Sequence, residues 1–371
     1  TPSSLFASEK TDSPLRILSD RPLNAETAMH LLDDEVTPEE RLFVRNNGIV
    51  PEIAYGKGLE QWNLTIDGEV GKSQSFTLKD LKTKFKFYQY QLVLECGGNG
   101  RAGFFPQTPG SQWTYGAVGC PVWGGVRLKD VLSSIGVKPS AVYVGYYSHD
   151  IHPSGDKEKA VISRGFPIAK ALDDMTMLAW EMNGKPLSPL HGFPVRLLCP
   201  GFPASASGKW LKRLWVRDRV HDGAKMTGTA YRVPQYPVAP GAKVEANNEM
   251  VIIEKMPVKS IISFPKSKET HQEKKTFHVR GFAWTGEEAI REVHVTYDFG
   301  QTWVRAHVKS PRNRFAWQRW EAEFIFPGRG YYEIWARAMD STGRMQPMVI
   351  PNWNPGGYLN NAMPRIAVNV E

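Results

Sequence analysis

Between Trp62 and Gly71 the apolar positions are Leu64, Ile66 and Val70, and this near-alternation predicts a strand ending at Gly71. Thr77 before Leu78-Lys79-Asp80-Leu81 predicts a short helix capped by the threonine. Val126, Leu128, Val131, Leu132 and Ile135 recur at helical spacing, so 126–135 is predicted as a helix stopped by Gly136. Residues 142–147, 178–182 and 212–218 read as strands, the second running into an Asn183-Gly184 turn, and 162–173 as a turn and helix. Beyond 248 the pattern changes. Short apolar runs at 251–253, 260–262, 277–284, 292–297, 303–307, 317–326 and 331–338 follow at regular spacing, with Asp298-Phe299-Gly300 and Asp340-Ser341-Thr342-Gly343 as turns. That predicts an immunoglobulin-like sandwich. The fold class is therefore α+β: a mixed α/β domain at 41–240, a Pro-, Gly- and Ala-rich boundary at 232–248, and an all-β domain at 249–371. Residues 1–40, polar and Pro-rich, are expected as an extended arm on the first domain, ending in a short helix near 37–41.

At 371 residues the chain can bury two full cores. Its net charge of +8 would suit nucleic acid, but Lys and Arg are scattered and no nucleic-acid motif is present. The charge instead favours an anionic small substrate and an acidic protein partner. No apolar run approaches the ~18 residues of a membrane span. The three cysteines, Cys96, Cys120 and Cys199, form no C-x-x-C pair and no C-x-x-C-H haem site, so no haem is expected in this chain and no disulfide framework. The first residues, Thr-Pro-Ser-Ser, read as a mature end left after removal of an export signal.

The chemistry concentrates at 92–125. Leu92-Val93-Leu94 is an apolar run that breaks at Cys96 into Gly-Gly-Asn-Gly-Arg101. A strand ending this way presents one thiol at a sheet rim, where Gly97, Gly98 and Gly100 allow close approach of backbone. A lone cysteine is most often a packed core residue. A single soft thiolate beside glycines, however, suits a metal carried by a cofactor better than an all-protein cage. The other polar signals are separate: Arg45-Asn46-Asn47 after Phe43-Val44, Asp150 after a strand, His191 to Arg196, Ser207-Gly208-Lys209, and Tyr231 before a Pro-rich stretch.

Cys96-Gly-Gly-Asn-Gly-Arg101, then Trp113, Gly116-Ala117 and Trp123-Gly-Gly-Val, resembles the molybdenum-cofactor domain of the sulfite oxidase family, nearest its bacterial periplasmic sulfite dehydrogenases. His191-Gly-Phe-Pro-Val-Arg196 is similar to a family segment on the pyranopterin and its phosphate. Phe43-Val44-Arg45-Asn46-Asn47 is similar to a cofactor and substrate segment, with Asn47 standing where many members have His. The segments at 280–286, 298–303 and 353–358 resemble the family's dimerisation domain.

The resemblance implies a molybdenum cofactor, one pyranopterin dithiolene per chain carrying oxo-molybdenum, with Cys96 as the protein ligand of the metal. Phe43, Val44, Arg45, Asn46, Asn47, Asp150, His191, Arg196, Ser207, Gly208 and Lys209 are implied as its contacts. Arg45 and Arg101 are implied as the anion pocket, Trp113 as its wall, Tyr231 as a hydrogen-bonding phenol at the metal, and Asn47 as a catalytic neighbour. The implied activity is oxidation of sulfite to sulfate, with electrons passed to a separate c-type cytochrome, in a periplasmic homodimer joined through the C-terminal domain. Competing readings are a sulfur dehydrogenase subunit acting on carrier-bound sulfur, an oxygen-reducing sulfite oxidase, a methionine sulfoxide reductase of related fold, and a cofactor-free two-domain binding protein.

Overall fold

Helix Leu128–Ile135 buries Leu128, Val131, Leu132 and Ile135 in a core shared with Leu64, Ile66, Leu178 and Leu214. Each such side chain contributes about 1.5–3 kcal/mol by leaving water. The computed structural model describes residues 14–350 and 352–371. Two sheets enclose this first core. One runs Gly165–Pro167, Tyr143–Ser148, Leu211–Arg217, Leu64–Gly68, Gln74–Phe76, with Leu211–Arg217 parallel to Leu64–Gly68. The other runs Lys185–Pro186, Met177–Met182, Val122–Arg127, Tyr88–Gln91, and Arg196–Leu198 also pairs with Met177–Met182. The expected Thr77 cap is present: its Oγ1 accepts from Asp80 N at 3.1 Å, and Asp80 accepts from Thr77 N at 2.9 Å.

The helix begins at Leu128, two residues later than its periodicity suggests. Val126 and Arg127 instead pair with Leu178 and Met177 as strand, so Val126 reaches the same core from a sheet. The N-terminal residues also differ from an extended arm. Within the described part they form a hairpin, Leu15–Asp20 with Leu23–Thr27, and the second strand pairs Asn24 with Arg45 and Ala25 with Val44. This edge fixes the 43–47 segment. The acidic run next to it reaches the second domain, where Asp33 pairs with Arg280 at 2.7 Å and Arg319 at 3.1 Å. The first thirteen residues of the expected arm lie outside the described part.

In the C-terminal half, Lys259–Phe264, Phe277–Trp284, Gln318–Phe324 and His307–Val308 form one sheet. Glu269–His271, Arg365–Val370, Gly330–Asp340, Ile290–Thr296 and Val304–Arg305 form the other. Ile262, Val279, Val293, Trp320, Ile334 and Ile366 fill the space between them. The expected α+β class with a terminal sandwich holds. The strand Met250–Ile252, expected within the sandwich, pairs instead with Arg232–Pro234 across the Pro-rich segment.

The two halves meet on a buried ion pair. Lys259 Nζ lies 2.7 Å from Glu95 Oε1, both side chains nearly inaccessible. Trp284 Nε1 donates to Glu95 Oε2 at 2.8 Å and Asn99 Nδ2 to Oε1 at 3.1 Å. Breaking a buried pair leaves one charge without compensation and costs about 3–5 kcal/mol. Lys259→Met is therefore expected to lower the unfolding free energy by about that amount, read from the urea midpoint. A loss well under 1 kcal/mol would show that the pair does not join the domains.

Candidate functional site

Strand Leu94–Glu95 delivers Cys96 to a cleft that it shares with Arg45, His191 and Lys209. Cys96 N donates to Ala117 O at 2.9 Å and Asn99 N to Cys96 O at 2.9 Å, which closes the turn under the thiol. Cys120 and Cys199 are buried elsewhere, and burial pushes both thiols up, Cys120 to about 12. They are therefore neutral packing groups, whereas Cys96 lines the cleft. Among the described residues no group of three or more His, Cys, Asp or Glu side chains comes together as a metal cage.

The floor is cationic. Arg196 donates to His191 O at 3.0 Å and to Ser207 O at 3.1 Å, and its guanidinium lies 4.9 Å over Trp123. Lys209 Nζ donates to Leu190 O at 2.8 Å and to Asn46 Oδ1. The chain approaches closely here: a Cβ on Gly208 would meet Tyr146 Cε2 at 2.5 Å. Gly192 sits at φ 112°, which lets the chain turn directly after His191. Among the described residues no carboxylate comes within 4 Å of Arg45, Arg196 or Lys209. Burial, then Lys209 and Arg196, lowers the His191 pKa to about 3, so its imidazole is neutral at pH 7. Burial lowers Arg196 to about 9 and pulls Lys209 well below the usual lysine range. Burial also lifts the Asp150 carboxyl to about 6, against the pull of Lys209. Asp150 is the one carboxylate on the lining, and it contacts none of these cations within ion-pair distance.

The rim carries Arg45, Asn47 and Tyr231. Tyr231 adopts φ 54°, a left-handed conformation that costs about 1–3 kcal/mol for a side chain of this kind. It is held by Ile253 N donating to its carbonyl at 3.1 Å, by stacking on Tyr358 at 5.4 Å, and by Arg164 at 4.8 Å from its ring.

Most of the residues that the motifs single out thus converge: Phe43, Arg45, Asn47, Cys96, Asp150 and His191 on the lining, with Arg196, Ser207, Gly208, Lys209 and Tyr231. Val44 is in the hairpin sheet, and Asn46 lies just behind the lining against Lys209. Two further residues sit apart from the lining. Arg101 is held by Gly356 O at 2.9 Å and Ser111 O at 3.0 Å, with its guanidinium 5.2 Å over Tyr358, so the C-terminal domain takes up its donors. Trp113 is wholly buried behind Phe43, ring edge to ring face at 6.2 Å. Sequence reasoning missed Tyr146 and Ser148, which line the cleft with Asp150. Their alternation along strand Tyr143–Ser148 toward Asp150 was the available signal.

The donor set fits a bulky anionic cofactor. Asn46 Nδ2, Ser148 Oγ, Ser205 Oγ and Arg196 Nε are buried without a protein partner; the last three belong to residues of the lining and Asn46 lies just behind it. Buried polar atoms left this way cost about 1–3 kcal/mol each unless a ligand or water satisfies them. A phosphate against Arg196 and Lys209, a pterin edge against Asn46, Ser148 and Ser205, and a metal at Cys96 would use these groups.

Residues 47–225 match the family model described as the oxidoreductase molybdopterin binding domain, and 250–371 match the Mo-co oxidoreductase dimerisation domain. The chain is 32% identical over 381 residues to mitochondrial sulfite oxidase of Rattus norvegicus, covering 96% of this chain and 66% of that protein, just under two thirds of its length. It is 32% identical over 382 residues to sulfite oxidase of Gallus gallus, covering 97% of this chain and 79% of that one. Among solved structures, the sulfane dehydrogenase SoxCD from Paracoccus pantotrophus superposes with a TM-score of 0.74 and 25% identity, over 98% of this chain and 89% of that one.

The neutral His191 gives a pH prediction for the cofactor-free protein. Its folded pKa lies below its unfolded value of 6.5, so the unfolded chain binds the proton first. Stability is therefore lost as pH falls from about 6.5 toward 3, at up to about 1.4 kcal/mol per pH unit for this group. Asp150, shifted up, works in the opposite direction. His191→Gln is expected to flatten the decline, measured as urea midpoints at pH 7 and pH 4.5. Equal declines in both proteins would contradict it.

Proposed function

The chain belongs to the sulfite oxidase family of molybdenum-cofactor oxidoreductases, and from that premise we propose that it oxidises sulfite to sulfate and passes the electrons to a separate c-type cytochrome. The observation that carries this reading is the cleft itself, with a thiol on its wall, cations on its floor that touch no carboxylate, and a fixed guanidinium beside them. Arg196 and Lys209 would hold the cofactor's phosphate, His191 its pterin edge, and Cys96 the metal. When bound, the cofactor supplies the oxygen-atom transfer and stores the two electrons.

The protein's own part is to bind, orient and exclude water. Sulfite at neutral pH is a small oxyanion, a mixture of monoanion and dianion. Arg45 stays charged, and its Nη1 is anchored on Asn24 Oδ1 at 3.1 Å and Nη2 on Asn47 Oδ1 at 2.9 Å, so it meets an oxyanion without first reorganising. Tyr231 offers a phenol that holds or moves a proton at its oxygen beside Asn47. Arg101 braces the Cys96 turn against the C-terminal domain, and Trp113 backs Phe43. The net charge of +8 favours an encounter with an acidic cytochrome. We place the catalytic unit at 41–240 and the pairing unit at 249–371, in a periplasmic homodimer. Similarity to a sulfane dehydrogenase over 98% of the chain supports a second reading, in which the sulfur arrives on a carrier. Turnover of free sulfite separates the two.

Protein made in a host that supplies the cofactor is expected to hold about one molybdenum per chain and to reduce cytochrome c when sulfite is added. Cys96→Ser is expected to keep the fold and the pterin and to lose that activity almost completely, because the floor residues hold the other end of the cofactor. Wild-type turnover by the serine variant would remove Cys96 from the metal. Sedimentation at micromolar concentration is expected to give a dimer, and a strict monomer would remove the pairing role of 249–371.

A further inference from the structure

One oxygen atom at the rim takes three donors. Asn47 Oδ1 accepts from Arg45 Nη2 at 2.9 Å, from Lys225 Nζ at 2.5 Å and from Tyr231 OH at 3.5 Å. Guanidinium and ammonium groups have no acceptor, so the amide must turn its oxygen toward them. Its Nδ2 is then the group that Asn47 has for the cleft it lines. An imidazole at this position would serve as an acceptor only while neutral, whereas the amide keeps both faces at every pH.

Lys225 is aimed at this oxygen by its own loop. It sits at φ 67°, in the left-handed region that a lysine rarely adopts. Backbone bonds pin the loop on both sides: Ser163 N to Ala224 O at 2.9 Å and Met226 N to Gly223 O at 2.9 Å. Arg164 Nη1 donates to Lys225 O at 3.3 Å. Among the described residues no carboxylate lies within ion-pair distance of Lys225, and its hydrogen bond is to the neutral Asn47 amide. A half-buried cation fixed by a strained backbone beside the cleft, with Asp150 acting on it only from beyond ion-pair distance, is free to meet an anion from outside the chain.

We propose that Lys225 is a positioning residue for the substrate's charged end, pinning the Asn47 amide so that its N–H groups and Arg45 meet the same oxyanion. Arg45 and Lys225 are then the two cations that a dianion needs, since Arg101 is held on backbone carbonyls. Asn47 becomes a donor whose orientation is set by its neighbours. The inference rests on the sulfite reading above.

Lys225→Met keeps the apolar stem and removes the ammonium. Asn47→Asp keeps the accepting oxygen and removes the N–H groups. Each is prepared as molybdenum-loaded enzyme, with Arg45→Gln as the comparison. Molybdenum content, sulfate affinity by titration calorimetry, and KM and kcat for sulfite are measured. Lys225→Met is expected to keep its molybdenum, to bind sulfate about tenfold more weakly and to raise KM by a similar factor, with kcat falling less. Lys225→Arg should recover part of the loss, and Asn47→Asp should bind sulfate more weakly still, because it adds a like charge. Sulfate affinity and KM of Lys225→Met within about twofold of wild type would overturn the proposal. So would a loss of molybdenum that accounts for the lost affinity. If wild-type enzyme holds molybdenum but neither binds sulfate nor oxidises sulfite, the sulfite reading fails and this inference falls with it. If wild type does both and Lys225→Met is unchanged, only the role of Lys225 fails.

Discussion

The position of the one thiol in the cleft depends on a buried charge pair, Glu95 with Lys259. Such a pair stabilises little compared with an apolar replacement, but its partners cannot part without leaving a bare charge in the interior. Glu95 immediately precedes Cys96, and its two oxygens are shared among Lys259, Asn99 and Trp284. The strand that carries the thiol is therefore registered against the sandwich. The 353–363 strap adds to this. Leu359 N donates to Gly97 O at 3.0 Å, Asn360 Nδ2 to Gly100 O at 2.8 Å, and Gly356 O accepts from Arg101. The glycines after Cys96 give room chiefly to these neighbours: a Cβ on Gly97 would meet Pro203 at 3.2 Å, and one on Gly100 would meet Asn360 at 2.9 Å. The second domain thus holds the turn that carries the thiol.

The cleft is the opposite case, a place where charge is left unpaired. Burial disfavours the charged forms of His191, Arg196 and Lys209, and the one carboxylate on the lining, Asp150, acts on Lys209 without offsetting its burial. A polyanionic ligand relieves all three at once, so binding and stability are linked. This arrangement would be a defect in a cofactor-free binding protein. In a molybdenum-cofactor protein it is the binding energy of the site.

The sequence made the periodic elements legible. Alternation placed most of the sandwich strands, and the threonine cap placed a helix, because local spacing alone determines which face is buried. Features that depend on distant partners were not legible. The hairpin before Val44 is read as an arm because its strands are polar, and its pairing with Arg45 is tertiary. Arg101 reads as a free cation beside the thiol, but its partners are 255 and 10 residues away in the chain. Lys225 carries no motif, and only the fold brings it to Asn47, 178 residues earlier. The strand Arg365–Val370, with Ile366, Val368 and Val370 buried, was present as an alternation and was missed at the chain end.

The central claim is that one thiolate of this chain completes the coordination of a single cofactor-borne metal. X-ray absorption at the molybdenum edge of the loaded enzyme tests it most directly. The account predicts one molybdenum per chain whose sulfur neighbours are the two of one dithiolene and the sulfur of Cys96, with one sulfur lost in Cys96→Ser. A sulfur count unchanged by that substitution, or a metal held by two pterins, would contradict it.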